Sequence, residues 1–363
     1  MTTEIRSAVC CGCIAACLCT APTAVLAAAV NGDLPRRTNA LTESYGKADV
    51  IYDSVRDDKG ERVRVIVTRP RDGRQPFPAL FVAGWLSCDS VEAPAGTEDA
   101  SGKVFRLLAD LPGIVTVRMD KPGVGDSEGV CKETNFDTEL SAYRAAFRSM
   151  SRYPFIDMNK RFVFGISNGG GFAPLVVEDA QVRGYVIVGG WVKTWFEHMM
   201  EIERRRFELS GKTAEEVNEL MRSTAQLLEG YLIEGRRPTE ILTSRPELRP
   251  AWNGDDDSHV YGRPIEFYQQ LQRLNLERAW AKVRVPTLVL HGQYDWIMTR
   301  GDHERIVALV NRNLPNGAQF VELPETGHTF EHYSDMRAAF EFKASAFDPT
   351  NARMIGSWIQ KHD

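Results

Sequence analysis

Residues 161–171 read RFVFGISNGGG. The apolar start suits a strand covered on both faces, and Gly165-Ile166-Ser167-Asn168-Gly169 then forms a G-x-S-x-G turn into the helix-like run FAPLVVEDA. Glycines flank the serine because side chains there would meet the neighbouring strand and helix; the turn is therefore tight and pushes the serine Oγ into the open. Short apolar runs recur on either side: ALFVAG at 79–84, IVTVRMD at 114–120, YVIVGG at 185–190, PTLVLHG at 286–292 and AQFVEL at 318–323. Before them, Val63, Val65 and Val67 alternate with Arg62, Arg64 and Ile66. Helix-spaced apolar residues lie between, at Lys103–Leu111, Phe136–Arg152, His303–Asn311 and near Asn351–Lys361. Strand and helix taking turns predicts an α/β chain with a mostly parallel, doubly wound sheet. The rhythm breaks after Gly190, where WFEHMMEIERRRFELSGKTAEEVNELMRSTAQLLEGYLIEG is helix-rich, Thr239–Pro264 is loop-like and FYQQLQRLNLERAW reads as one further helix. The expected organisation is a core of residues 45–190 and 279–363 with an inserted helical lid at 191–278.

A neutral serine hydroxyl is a weak nucleophile, so Ser167 needs a base within hydrogen-bond reach and a group to orient that base. On a sheet with such an elbow these follow in the order serine, acid, histidine. Asp295 stands on a loop directly after TLVLHG, and His328 follows AQFVELPE in the same way, both at strand ends where open α/β sheets keep ligand chemistry. The competing acids Asp302 and Glu304 and the competing histidines His303, His332 and His362 read as surface or supporting groups. Acyl transfer also needs donors for an oxyanion. The N–H of Asn168, which begins the helix after the serine, supplies one; the loop Gly84-Trp85-Leu86-Ser87 supplies the other, with the Trp85 N–H the first choice and Leu86 next. The other reading of Trp85 is simple packing against the lid.

The 363 residues are 43% apolar and 26% charged with a formal net charge of -5, which offers no basic stripe for nucleic acid. No metal-ligand spacing and no nucleotide loop occurs, so no metal and no cofactor is expected. After Arg6 the nearly uncharged run AVCCGCIAACLCTAPTAVLAAAV ends in Ala27-Ala28-Ala29, which reads as a signal peptide over 1–29 and a secreted or periplasmic product. A retained membrane anchor is the alternative, as is a lipoprotein, because Ile14-Ala15-Ala16-Cys17 has the form of a lipobox. Membrane contact is expected only if the segment is retained or Cys17 is lipidated. Cleavage removes five of the seven cysteines, and the remaining two, Cys88 and Cys131, invite one disulfide in an oxidising compartment.

Together, Ser167, Asp295 and His328 resemble the nucleophile, acid and base of the α/β-hydrolase superfamily. Met119-Asp120-Lys121-Pro122-Gly123-Val124-Gly125-Asp126-Ser127 is similar to the D-x-P/R-G-x-G-x-S segment of its proline-iminopeptidase-like members. The resemblance covers about residues 50–361 and is weakest in the lid. Two departures stand out: Ala83-Gly84 replaces the usual His-Gly before the oxyanion loop, and Ile166 replaces the frequent His before the serine. In that fold the loops carrying Cys88 and Cys131 are neighbours, which implies a Cys88–Cys131 disulfide stiffening the oxyanion loop. The DKPGVGDSEG run is expected to shape the floor of the site rather than to act chemically. Trp191, Trp195, Phe196 and Met199 at the lid entrance favour an apolar acyl or aromatic group, although ordinary core packing would use the same residues. The charge runs Glu203-Arg204-Arg205-Arg206 and Asp255-Asp256-Asp257 read as solvated lid faces. The resemblance implies a serine hydrolase acting on a small-molecule ester or short peptide. An aminopeptidase using Glu197 or Glu201 to receive a free amine is the alternative, and a binding protein without turnover is another.

Overall fold

The computed structural model describes residues 34–37, 42–96, 99–178 and 180–363. The signal-peptide reading of 1–29 and the lipobox at Cys17 lie outside these residues.

The chain opens with β1 (Ala48–Arg56) and β2 (Arg62–Pro70), a hairpin, followed by β3 (Phe77–Ala83), α1 (Ala100–Ala109), β4 (Val115–Met119), α2 (Phe136–Ser149), β5 (Ile156–Ile166), α3 (Asn168–Val177) and β6 (Gly184–Val188). Next come α4 (Trp195–Leu209), α5 (Ala214–Leu228), α6 (Pro238–Ser244), a two-residue hairpin of β7 (His259–Val260) and β8 (Arg263–Pro264), α7 (Ile265–Gln272) and α8 (Leu276–Trp280). The alternation then resumes with β9 (Thr287–Gly292), α9 (Arg300–Asn311) and β10 (Ala318–Leu323), and closes with a small pair, β11 (Glu331–His332) and β12 (Ala346–Phe347), flanking α10 (Met336–Phe340), before α11 (Thr350–His362).

Eight strands form one sheet in the order β1-β2-β4-β3-β5-β6-β9-β10. It is parallel from β4 to β10, whereas β2 runs antiparallel to both β1 and β4. The architecture is an α/β-hydrolase fold. β3, β4 and β6 are buried along their whole length, because helices cover both faces of a parallel sheet and leave no solvent side to alternate toward. One core layer packs α2, α3, α7 and α8 against the sheet around Phe81, Phe147 and Trp280, and the other packs α1 and α11 around Phe105 and Ile355.

Two details of the segment between β6 and β9 differ from the expectation. FYQQLQRLNLERAW is two helices, because the Asn275 side chain accepts the Arg278 N–H and starts a new helix at Leu276. Thr239–Pro264 holds α6 and a 3-10 turn at Pro246–Ala251, each with a proline in its first turn, where the missing N–H is harmless. Upstream, Leu34–Arg37 forms a strap over the DKPGVGDSEG loop: Arg64 donates to the Leu34 carbonyl, and the Arg37 N–H donates to Asp126 at 2.6 Å.

Candidate active site

Ser167 occupies the junction of β5 and α3 with φ 57° and ψ −126°, a conformation that costs a non-glycine residue of order 1–3 kcal/mol and persists only where the surroundings over-determine it. Here they do. Its N–H donates to the Val188 carbonyl at 2.9 Å, and the Gly169 N–H donates to the Gly84 carbonyl at 2.9 Å, stitching the turn to both neighbouring strands. A methyl group at Gly169 would stand 2.1 Å from the Ala83 carbonyl oxygen; the second glycine of the pentapeptide is thus demanded by close backbone approach.

The Ser167 hydroxyl donates to His328 Nε2 at 2.8 Å, and His328 Nδ1–H donates to Asp295 Oδ2 at 2.8 Å. Asp295 Oδ1 in turn accepts the N–H groups of Ile297 and Met298, each at 2.9 Å. Burial alone would raise the Asp295 carboxyl, but the adjacent imidazole and the Met298 N–H outweigh it and hold the group down at about 2. Burial alone would likewise lower His328, and the Asp295 charge and hydrogen bond reverse the sign, leaving it above its ordinary value. The pair therefore sits ready to stabilise an imidazolium next to a serine hydroxyl.

Of the competing groups, His303 is fully buried, in a supporting place rather than a surface one. Its Nε2 accepts the Gly190 N–H at 3.0 Å and its Nδ1–H donates to the Thr299 carbonyl. Burial holds it down at about 4, so it stays neutral. Asp302 is also buried and accepts from the Val192 N–H and the Thr299 hydroxyl. Glu304 pairs with Arg300 in solvent, and His332 and His362 lie in β11 and at the end of α11. None of these touches Ser167.

Asn168 begins α3 at the elbow, and Trp191 Nε1–H donates to its side-chain and main-chain oxygens. Trp85 lines the same cavity as Ser167 and Asn168; its ring stacks on Phe105 of α1 with centroids 5.7 Å apart. Just beyond, Cys88 and Cys131 are joined by a disulfide with 6.0 Å between Cα atoms. Asp120 accepts from Ser90 and Val91 through Oδ1, so the DKPG loop supports the backbone around the site.

Above Ser167 opens a cavity of about 690 Å³. Trp195, His198, Met199, Ile202 and Arg206 of α4 contribute one wall, spaced as one face of a helix. Trp296, Met298 and Phe340 contribute another. His198 carries no signal in the sequence beyond that spacing. It is buried between Trp191 and Trp195, its Nδ1 has no partner among the described residues, and burial holds it down at about 4. The acids expected to meet a substrate amine are engaged elsewhere: Glu197 closes a capping box with Thr194, and Glu201 pairs with Lys193 at 2.6 Å. Glu203 is buried too, accepting from Arg206 and Asn253, and so is no solvated face. A separate open depression of about 760 Å³, lined in part by Arg144, Glu178 and Lys282, contains none of the groups around Ser167.

A family model described as serine aminopeptidase, S33, matches residues 94–332. No curated protein matches the chain. Among solved structures, a hypothetical protein from Pseudomonas aeruginosa is 16% identical with a TM-score of 0.54, the match covering 89% of this chain and 99% of that one. An esterase from Pyrococcus furiosus is 12% identical with a TM-score of 0.54, over 92% and 98% of the two chains. Est1E from Butyrivibrio proteoclasticus, with ferulic acid bound, is 14% identical with a TM-score of 0.52, over 85% and 98%.

Proposed function

Since the chain belongs to the serine aminopeptidase S33 family of α/β hydrolases, we propose that it is an exported serine hydrolase cleaving carboxylic esters through an acyl-enzyme on Ser167. The observation that carries this reading is the unbroken relay from Ser167 through His328 to Asp295 at the floor of an apolar cavity.

In the proposed reaction the Ser167 Oγ attacks the ester carbonyl while His328 Nε2 takes its proton, and Asp295 keeps the imidazole oriented and stabilises its charge. The Asn168 and Trp85 N–H groups receive the oxyanion, a contribution of a few kcal/mol by the usual mutational yardstick. Collapse of the tetrahedral intermediate breaks the C–O bond, and His328 returns the proton to the departing alcohol. Water, deprotonated by the same histidine, then attacks the acyl-enzyme and releases the acid. The apolar walls from Trp195, Met199 and Trp296 favour an aromatic or alkyl group, and residues 191–278 act as the lid that encloses it. A peptidase is the second reading, favoured by the family description and by Asp89, Asp99 and Glu331 in the cavity lining. A signal peptide at 1–29 accounts for export, with retention or lipidation at Cys17 as the alternatives; the Cys88–Cys131 disulfide supports an oxidising compartment.

The test is hydrolysis of p-nitrophenyl acyl esters and aminoacyl-p-nitroanilides by the protein beside Ser167→Ala. Ester turnover lost in the variant is the expected result. Anilide turnover instead promotes the peptidase, and silence toward both panels with no fluorophosphonate labelling of Ser167 returns the chain to a binding role.

A further inference from the structure

The loop after β3 is held in an unusual way. Four consecutive main-chain oxygens each have a buried donor: Gly84 O accepts the Gly169 N–H at 2.9 Å, Trp85 O and Ser87 O both accept from Lys121 Nζ, and Leu86 O accepts Arg263 Nε–H at 2.9 Å. Cys88, the next residue, is tied to Cys131. Lys121 is 1% exposed and Arg263 0%, so neither cation is a surface charge that happens to lean inward.

In a planar peptide the N–H points opposite to the C=O. The Gly169 N–H on Gly84 O therefore sets the direction of the Trp85 N–H, Lys121 on Trp85 O and Ser87 O sets those of Leu86 and Cys88, and Arg263 on Leu86 O sets that of Ser87. The cations thus hold the plane of the alternative donor Leu86 and the two planes that follow it. Donors aimed in advance are what electrostatic stabilisation of an oxyanion requires, since no reorganisation is then needed during reaction. A buried ammonium and a buried guanidinium are costly to desolvate. Arg263 has its own compensation: Glu139 at 2.5 Å, the Cys131 carbonyl at 3.2 Å and the Phe267 ring at 4.9 Å. For Lys121 the two loop carbonyls are its hydrogen-bond partners, and burial holds its ammonium down at about 7.

We infer that Lys121 and Arg263 are positioning residues for acyl transfer: by fixing the peptide planes of residues 85–88 they aim the Leu86 N–H and hold the loop that presents the Trp85 N–H. Arg263 lies in β8, inside the segment between β6 and β9, so that segment takes part in building the oxyanion site as well as walling the cavity. The inference rests on the serine-hydrolase reading.

The experiment compares Lys121→Met, Lys121→Arg, Arg263→Met and Arg263→Lys with the unaltered protein on an ester that Ser167→Ala does not turn over. The readouts are kcat, KM and the affinity of an arylboronic acid, which forms a tetrahedral adduct with the serine. Misaimed donors should lower kcat about tenfold to hundredfold, with the larger loss in the methionine variants. Boronate affinity should fall in parallel while KM moves less than about threefold. If the methionine variants are recovered unfolded, Lys121→Arg and Arg263→Lys carry the test, because they keep the charge and displace the donors. Folded variants with unchanged kcat overturn the inference, as does a loss in which KM and kcat deteriorate together while boronate affinity holds. Silence of the unaltered protein toward every ester and anilide sinks the serine-hydrolase reading itself, and this inference with it.

Discussion

Replacing Cys88 and Cys131 together by alanine separates two ways in which the oxyanion loop could be stabilised. The crosslink spans 43 residues, and closing a loop of that size removes about 4 kcal/mol of denatured-state entropy in the chain-entropy model. Alanine at both positions leaves no new buried hydroxyl without a partner, so the native state should lose little beyond the contacts of two sulfurs. The expected result is a fall of about 3–4 kcal/mol in unfolding free energy, measured by urea denaturation followed through tryptophan fluorescence, with a larger m-value as the denatured chain expands. Lys121 and Arg263 still hold the carbonyls of Trp85, Leu86 and Ser87 in the double variant, so kcat should stay within roughly threefold, less than 1 kcal/mol of barrier. A stability loss below about 1 kcal/mol would refute the denatured-state argument. A hundredfold loss of kcat in a protein that remains folded would refute the assignment of loop geometry to the two cations.

Three further outcomes are expected. The acid limb of kcat/KM should follow His328 at a pKa above its ordinary value, since activity needs the neutral imidazole; in Asp295→Asn burial acts unopposed, so the limb moves to lower pH while kcat drops by roughly 10⁴. An unmoved limb would remove Asp295 from that role. Gly189→Ala would place a methyl group 2.7 Å from His328 Cε1 at φ +60°, so kcat should fall with a smaller change in cavity affinity, and unimpaired turnover would contradict the packing. His198 and His303, both held down at about 4 by burial, take up protons on unfolding at mildly acidic pH. Stability should therefore be full above about pH 6.5 and decline as pH falls toward 4, by up to about 3 kcal/mol for each residue; His303→Gln should flatten part of that slope in urea titrations at pH 7, 6 and 5.

The parts of this molecule legible in the sequence are those where one local pattern carries the constraint. ALFVAG and RFVFGIS show buried strands because burial on both faces leaves only apolar residues, and G-x-S-x-G shows a sharp turn because two backbones approach too closely for side chains. The loops bearing Asp295 and His328 are legible because each directly follows an apolar strand run. What stayed hidden depends on partners distant in the chain. Nothing around Lys121 or Arg263 distinguishes a buried cation from a solvated one; only the fold brings residue 121 and residue 263 to a loop at 85–87. Glu203 sits in a charged run that reads as exposed, yet Asn253 meets it from 50 residues away. His198 shares one face of α4 with Trp195 and Ile202 and looks like a helical filler until the cavity is seen. The break at Asn275 is invisible in the sequence because a capping asparagine inside an apolar periodicity looks like one polar residue on a continuous helix.

The oxyanion loop is gripped through main-chain oxygens, which are the same for every amino acid. Leu86 and Ser87 can therefore be varied without loosening the grip, while their side chains remain in the wall of the cavity. Under the proposed acyl transfer, that separates the part of the loop that aims the donors from the part that faces the cavity, and makes positions 86 and 87 the natural starting places for directed evolution of acyl preference.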